Sequence, residues 1–275
     1  MTSANEPLSE APGDDDVSSG SDPRYIVPGL SRGLALLQLF TRANPRQTLQ
    51  ELAQGLGVTR SAAYRLVYTL ENDGFIRREE HSRRYVLTTK VMAFGFEYLA
   101  SQSIVELALP HLRHLSELTN ASAYLVTADD IYAVYILRVA PSASVVSNLQ
   151  AGTRRPMHIT ASGRVLLASF AVPERDDMIR RLARERQGYQ SPPAAALAER
   201  ANMDAARGYV YHASILDPGI TSCAAAIRDN FGRCVAAVTV IGPDHLLQGI
   251  GGEEKVSQFV RTTAARISSE LGSAP

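Results

Sequence analysis

Five side chains in the run GVTRSAAYRLVYTLENDGFIRR, Gly57 to Arg78, are spaced to act together: Arg60, Ser61, Tyr64, Arg65 and Tyr68. On a helix advancing about 100° per residue they gather on one side, while Ala62, Ala63, Leu66, Val67 and Leu70 gather on the other. Two guanidiniums, two phenols and a hydroxyl suit phosphate oxygens and the acceptor edges of bases in a major groove. No carboxylate interrupts that side before Glu71. A merely solvated helix shares the periodicity; the acid-free face, the short helix expected before it and the local charge favour nucleic acid.

Catalytic and metal chemistry find less equipment. His111, His114 and Glu117 follow at three-residue intervals, but H-x-x-H without an intervening acid is not the metalloprotease pattern. Cys223 and Cys234, the two cysteines of the chain, have no CxxC spacing and no adjacent histidine, so neither a disulfide framework nor a zinc cluster is indicated. Walker-type glycine loops and GxSxG are absent from the sequence. No catalytic residue, metal or cofactor is therefore expected. The lack of a signal-peptide pattern and of any stretch near 18 apolar residues points to a cytoplasmic chain with no membrane partner.

The formal net charge of zero over 275 residues hides a strong asymmetry. Residues 1–23 carry six acids and no Lys or Arg, whereas residues 24–90 carry eleven bases against five acids, a local balance of +6. The first segment, rich in Ser, Gly, Pro and Asp, reads as a disordered acidic tail. At 275 residues with 45% hydrophobic and 20% charged residues, the rest reads as two globular domains.

The basic segment has the plan needed to present the donor face. Apolar spacing predicts a helix over Ser31 to Phe40, ended at Asn44 and Pro45, and a second short helix capped by the Thr48 hydroxyl and broken at Gly55 to Gly57. Thr59 caps the third, which closes at Asn72 to Gly74. Phe75-Ile-Arg-Arg and Arg84-Tyr-Val-Leu then bracket a polar tip, the pattern of a β-hairpin. That hairpin is the wing of a winged helix-turn-helix, with Arg83 and Arg84 as its DNA contacts. Lys90 to Ala100 continues as a linker helix.

Downstream, helices are expected over Ile104 to Leu118, Ala161 to Phe170, Pro173 to Gln187, Ala194 to Arg207 and Glu253 to Leu271. Strands are expected over Ala121 to Thr127, Ile131 to Val139, Val145 to Leu149, Ser222 to Arg228 and Arg233 to Ile241. With Asp229 to Gly232 as a four-residue loop, Arg228 would pair with Arg233, which sets Ser222 opposite Thr239, Cys223 opposite Val238 and Cys234 opposite Ile227. Two facing hydroxyls beside Ala224 and Ala237 make room for a small polar ligand, although a Ser and a Thr also pair in any sheet.

The run TLQELAQGLGVTRSAAYRLVYTLENDGFIRREEHSRRYVLTTKVMAFG resembles the N-terminal domain of the IclR family of bacterial transcriptional regulators. The likeness continues through MHITASGRVLLASF, similar to the family's segment at the effector-pocket entrance, and through DPGITSCAAAIRD and GRCVAAVTVIGP, similar to its signature region. It covers residues 25 to 272, and RGLALLQLF is similar to the branch controlling aromatic acid catabolism. The resemblance implies an α+β protein: a winged helix-turn-helix over 24–88, a linker helix over 89–102, and a GAF-like or profilin-like mixed-sheet effector and oligomerisation domain over 103–275. It also implies an operator on double-stranded DNA, a homodimer or tetramer, and a small organic or aromatic acid effector.

Ser222 and Thr239 match the family's effector-contact positions, where Cys and Ser are frequent. His212 falls where an acidic pocket residue is common; it could pair with a carboxylate or cap the core. Ser162 and Gly163 open a helix whose N–H groups suit a carboxylate. Tyr135, with Tyr132, is placed to line the cavity or to sit half-buried in the sheet, and Asp217 is a turn residue or a ligand contact. The DNA-contact set is Thr59, Arg60, Ser61, Tyr64, Arg65, Tyr68, Arg83 and Arg84. The alternatives are a metabolite-sensing module acting through a protein partner and a small-molecule enzyme.

Overall fold

The computed structural model describes residues 23–100, 103–141, 149–185 and 191–272. They divide into two compact units, Met1–Phe96 and Glu97–Pro275. In the first, α1 (Pro28–Gln38), α2 (Leu49–Leu56) and α3 (Arg60–Asn72) precede a two-stranded hairpin of β1 (Ile76–Arg78) and β2 (Tyr85–Leu87). The helix α1 begins three residues before the expected Ser31, because Pro28 at its first turn has the φ a helix start needs and no N–H to leave unsatisfied.

Local chemistry sets the remaining boundaries of this unit. Thr48 and Glu51 form a reciprocal capping box at α2, with the Thr48 N–H donating to Glu51 at 2.6 Å. Gly57 ends α2 in the left-handed region at φ 63°. Thr59 caps α3 by accepting from the Ala62 N–H. Leu36, Phe40, Leu52, Val67, Ile76 and Tyr85 form the core beneath these elements.

Helix α4 (Lys90–Ala100) follows the hairpin, and Phe75 stacks on Phe94 within the first unit at 5.6 Å. The second unit contains α5 (Ser103–Thr119), β3 (Ser122–Asp129), β4 (Tyr132–Val139), β5 (Arg154–Pro156), α6 (Ala161–Ser169), α7 (Val172–Leu182) and α8 (Ala194–Arg207). It is completed by β6 (Tyr209–Ala213), β7 (Ile220–Arg228), β8 (Cys234–Pro243), α9 (Asp244–Gly249) and α10 (Gly252–Glu270). Six strands pair in the order β5-β4-β3-β8-β7-β6. Every ladder among the described residues is antiparallel, so the class is α+β, with the mixture lying in the alternation of helices and strands and not in strand direction.

Alternation along the central strands divides the core in two. Tyr124, Val126, Ala224, Ala237 and Ile241 face a cluster with α6, α7 and α8. Ala123, Leu125, Cys223, Ala225, Val238 and Val240 face a second cluster with α5 and α10. Burial on both faces is why these strands are nearly continuous apolar runs. It also pushes the Cys223 thiol up to about 12, which makes it inert.

Two short edge strands, β5 and β6, and the short α9 escape the sequence patterns. Three to six residues hold too little periodicity to be read. The expected helix from Pro173 stops at Leu182, and residues 145–148 of the expected strand Val145 to Leu149 lie outside the described residues.

The register of the last hairpin corrects the expected one by two residues. Ser222 pairs with Ile241, Ala224 with Thr239 and Cys223 with Val240. A bulge between Ile227 and Arg228 sets Arg228 opposite Cys234 and lengthens the loop, which the Asp229 carboxylate closes by accepting from the Phe231 and Arg233 N–H groups. A shift of two keeps the faces: Ser222 and Thr239 remain on one side of the sheet as diagonal neighbours rather than opposite partners.

Candidate nucleic-acid interface and ligand cavity

The donor face of α3 is open. Arg60, Ser61, Tyr64, Arg65 and Tyr68 are all exposed, while Ala63 and Val67 are buried against α1 and α2. Arg60, Ser61, Tyr64 and Arg65 share one concave surface with Arg78, Ser82 and Arg83 of the hairpin and with Thr48 to Gln50 at the start of α2. Tyr68 lies beyond that hollow, its ring 6.3 Å from that of Tyr64. Thr59 serves the helix first: its hydroxyl caps α3 and sits 3.2 Å from the Ser61 hydroxyl.

The five acids of the basic segment are mostly spent elsewhere. Glu51 is held below the usual carboxylate range by hydrogen bonds from Thr48 and by Arg84. Glu79 pairs with Arg46 and accepts from Ser82, and Glu71 accepts from the Arg78 N–H. Arg60, Arg65 and Arg83 have no carboxylate partner among the described residues. The hairpin arginines separate in role: Arg83 stands at the exposed tip at φ 56°, whereas Arg84 donates to Glu51 and to the Arg46 carbonyl, both at 3.2 Å. Sequence spacing could not distinguish them, because the partners of Arg84 lie more than 30 residues away.

In the second unit a cavity of about 100 Å³ is lined by residues of both edge strands of the sheet and of strands between them. Arg155 of β5, Tyr135 of β4, Ile241 of β8, Ser222 of β7 and His212 of β6 contribute to it, with Ile159, Thr160 and the loop from Ser214 to Asp217. Tyr135, His212 and Ser222 thus line it together, and Ser222 donates to the His212 carbonyl at 3.3 Å. Burial first, then Arg164 and Arg200, lower the His212 pKa, so its imidazole is neutral at neutral pH.

Ser162, Gly163 and Thr239 stand behind the wall. Ser162 donates to the Tyr135 hydroxyl at 3.3 Å. The Gly163 N–H is taken by Thr160 at 3.0 Å, so it is not open to a ligand, and a Cβ at this glycine would overlap the backbone of Met157. Thr239, fully buried, donates to the Cys223 carbonyl at 2.9 Å. Tyr132 is engaged by Glu185 outside the cavity. Behind α6, Arg164 clasps Asp204 of α8 through two hydrogen bonds of 2.8 and 2.6 Å. His111 pairs with Glu270 across α5 and α10.

Arg155 is the charged lining residue that sequence reasoning missed. It sits two residues before Met157, in a three-residue edge strand with no periodic signal. Thr160 had one, since a threonine directly before an apolar helical run is an N-cap.

An open basic helix beside a wing in one unit, and a polar-lined cavity on an antiparallel sheet in the other, are the arrangement of a DNA-binding regulator with a ligand-sensing domain. The model of the IclR helix-turn-helix domain matches residues 29–80, and that of the bacterial transcriptional regulator IclR C-terminal domain matches residues 96–269. The chain belongs to the IclR family of bacterial transcriptional regulators.

Among its relatives, the glycerol operon regulatory protein of Streptomyces griseus is 28% identical over 90% of this chain and 97% of its own length. The Pca regulon regulatory protein of Pseudomonas putida is 28% identical over 80% and 75%. A crystal structure of a transcriptional regulator from Rhodococcus sp. RHA1 is 31% identical, covers 90% of this chain and 99% of its own, and superposes with a TM-score of 0.73. An IclR homologue from Microbacterium hydrocarbonoxydans, solved with 4-hydroxybenzoate, shares the fold at 22% identity over 89% and 99%, with a TM-score of 0.73. No described helix is long and apolar enough to cross a membrane.

Proposed function

We propose that the chain binds a palindromic operator as a homodimer or a pair of dimers, reading the major groove with α3 and the flanking backbone with Arg83, and responds to a small organic acid in the cavity of the second unit. Residues 24–88 are the DNA-binding head, 89–102 the linker and 103–275 the effector and oligomerisation domain. The observation that carries the DNA reading is the convergence of Arg60, Arg65 and Arg83 around one concave surface, each without a carboxylate partner among the described residues.

A second copy is the occupant that suits the exposed apolar side chains of the same unit. Leu30 and Leu34 lie one turn apart on α1 and are 63% and 54% exposed; Met92, Phe94 and Phe96 of α4 are 71%, 64% and 69% exposed. Apolar surface left this open is stabilised by burial against a partner. Two-fold pairing of heads would then mirror a two-fold operator.

Operator binding is expected to weaken steeply with salt, because bound phosphates release their counterions, and Arg83→Ala should flatten the log–log slope by about 1 if Arg83 neutralises one phosphate. Titrations across a salt series check this, and a slope unchanged by Arg83→Ala removes the wing from the interface. A footprint confined to one unrepeated half-site would contradict the paired heads.

For the sensor, Ser222→Val is expected to abolish the operator response to the effector while leaving effector-free DNA affinity intact. Thr239→Val, behind the wall, should act through stability alone. Fluorescence anisotropy with and without acid separates the two, and a normal response in Ser222→Val would exclude this cavity. Aromatic acids belong in that screen, since a relative is solved with 4-hydroxybenzoate.

A further inference from the structure

We propose that Arg155 holds the carboxylate of the effector and is the residue that makes this cavity select an anion over its neutral analogue. The proposal rests on the reading of the cavity as the effector site and adds its charge selector. Among the described lining residues Arg155 is the sole Lys or Arg. Its guanidinium has no hydrogen-bond or carboxylate partner among the described residues, and though the Nε of Arg138 and of Arg175 is also unpartnered, neither of those arginines lines the cavity; neighbouring polar groups are engaged: Tyr135 with Ser162, Ser222 with the His212 carbonyl, Thr160 with the Gly163 N–H.

A charged donor held in a partly buried wall without an acceptor is costly, so a cavity-lining guanidinium in this state suits a ligand that supplies one. A carboxylate supplies two acceptor oxygens in the plane of the guanidinium fork, a geometry that a single hydroxyl or amide carbonyl does not offer. Two alternative anchors are weaker on this wall. His212 is kept neutral by burial and by Arg164 and Arg200, and the helix N-terminus at Gly163 is capped by Thr160.

The cavity is polar at both edges of the sheet. Arg155, Tyr135 and Thr160 lie toward β5 and β4; His212 and Ser222 lie on β6 and β7, with Ser214 and the exposed Asp217 on the adjoining loop. A ligand with its carboxylate at Arg155 places its other end among hydroxyls, a neutral imidazole and a rim carboxylate, which favours a hydroxyl there and disfavours a second carboxylate. At about 100 Å³ the space is smaller than the roughly 150 Å³ cavity known to hold a benzene ring, so a compact hydroxy acid fits as it stands, and an aromatic acid requires the lining to give.

The test uses the full chain and four probes: lactate and benzoate, each beside its neutral amide, lactamide and benzamide. Dissociation constants are taken from thermal shift and from calorimetry, for wild type, Arg155→Met and Arg155→Lys. In wild type at least one acid should bind and its amide should bind at least tenfold more weakly. Arg155→Met should lose that acid by tenfold or more and equalise acid and amide, while Arg155→Lys, a point charge, restores part of the preference.

Without ligand, Arg155→Met should melt no lower than wild type and bind operator DNA equally, since it removes an unpartnered donor. A structural role would instead lower its melting point. Retention of the acid preference in Arg155→Met overturns the assignment; if that binding is lost in Ser222→Val, the cavity remains the effector site with a different anchor. Should none of the four probes bind wild type or shift its operator affinity, the carboxylate assignment falls together with the effector class it rests on.

Discussion

Asp204→Ala is expected to destabilise the second unit by about 3–5 kcal/mol, the largest effect of any single substitution considered. The Arg164 and Asp204 side chains are only 15% and 5% exposed, and they meet in a bidentate pair across α6 and α8. Truncating one member leaves the other charge buried without a counterpart, and that uncompensated desolvation dominates any loss of attraction. The same pair bears on function, because α6 carries Thr160 at its cap and Ser162 against Tyr135.

Urea unfolding of the full chain, followed by its tyrosines since it has no tryptophan, checks this. An Arg164→Met, Asp204→Leu double variant should lie much nearer wild type than Asp204→Ala, because both charges leave together. A loss within about 0.5 kcal/mol, the range of a neutral surface substitution, would show that solvent reaches the pair.

Arg65→Ala is expected to weaken operator binding by about 1–3 kcal/mol if its guanidinium reads a base, roughly a fivefold to 150-fold loss, and to relax selectivity at one operator position. Arg65 stands at mid-helix on the exposed side of α3, in the hollow shared with Arg83, without a carboxylate partner among the described residues. Arg84→Ala is the contrast: Arg84 is committed to Glu51 and the Arg46 carbonyl, so its removal should act through the α2–hairpin junction. Competition binding against single-base operator variants distinguishes base readout from a phosphate contact, which weakens all sequences alike. Unchanged affinity would remove Arg65 from the reading head.

Features written in local chemistry were legible in the sequence. The Thr48 and Thr59 caps, the stop at Gly57, the hairpin after Phe75 and the bounds of α4 and α8 follow from side chains within a few residues of the backbone they act on. So does the open face of α3, whose periodicity is the same whatever surrounds it. Pairing across the last hairpin was less legible. A loop longer by one on its far side moved the partner of Arg228 by one, and the bulge at Ile227/Arg228 brought the shift to two for every pair from Ile227 back, while the parity that keeps Ser222 and Thr239 on one face survived.

By itself, then, the sequence determined the longer elements, the segregation of a +6 segment from an acidic N-terminal one, and the residues that α3 turns outward, because these depend on order along the chain. Only the tertiary structure decided which arginine of the hairpin tip is open and which is tied down. It likewise decided that Ser222 lines the cavity while Thr239 and Gly163 stand behind its wall, and that Arg155 enters from the far edge of the sheet. The physical reason is the same in each case: a side chain's freedom depends on partners supplied by distant segments, and spacing along the chain carries no record of them.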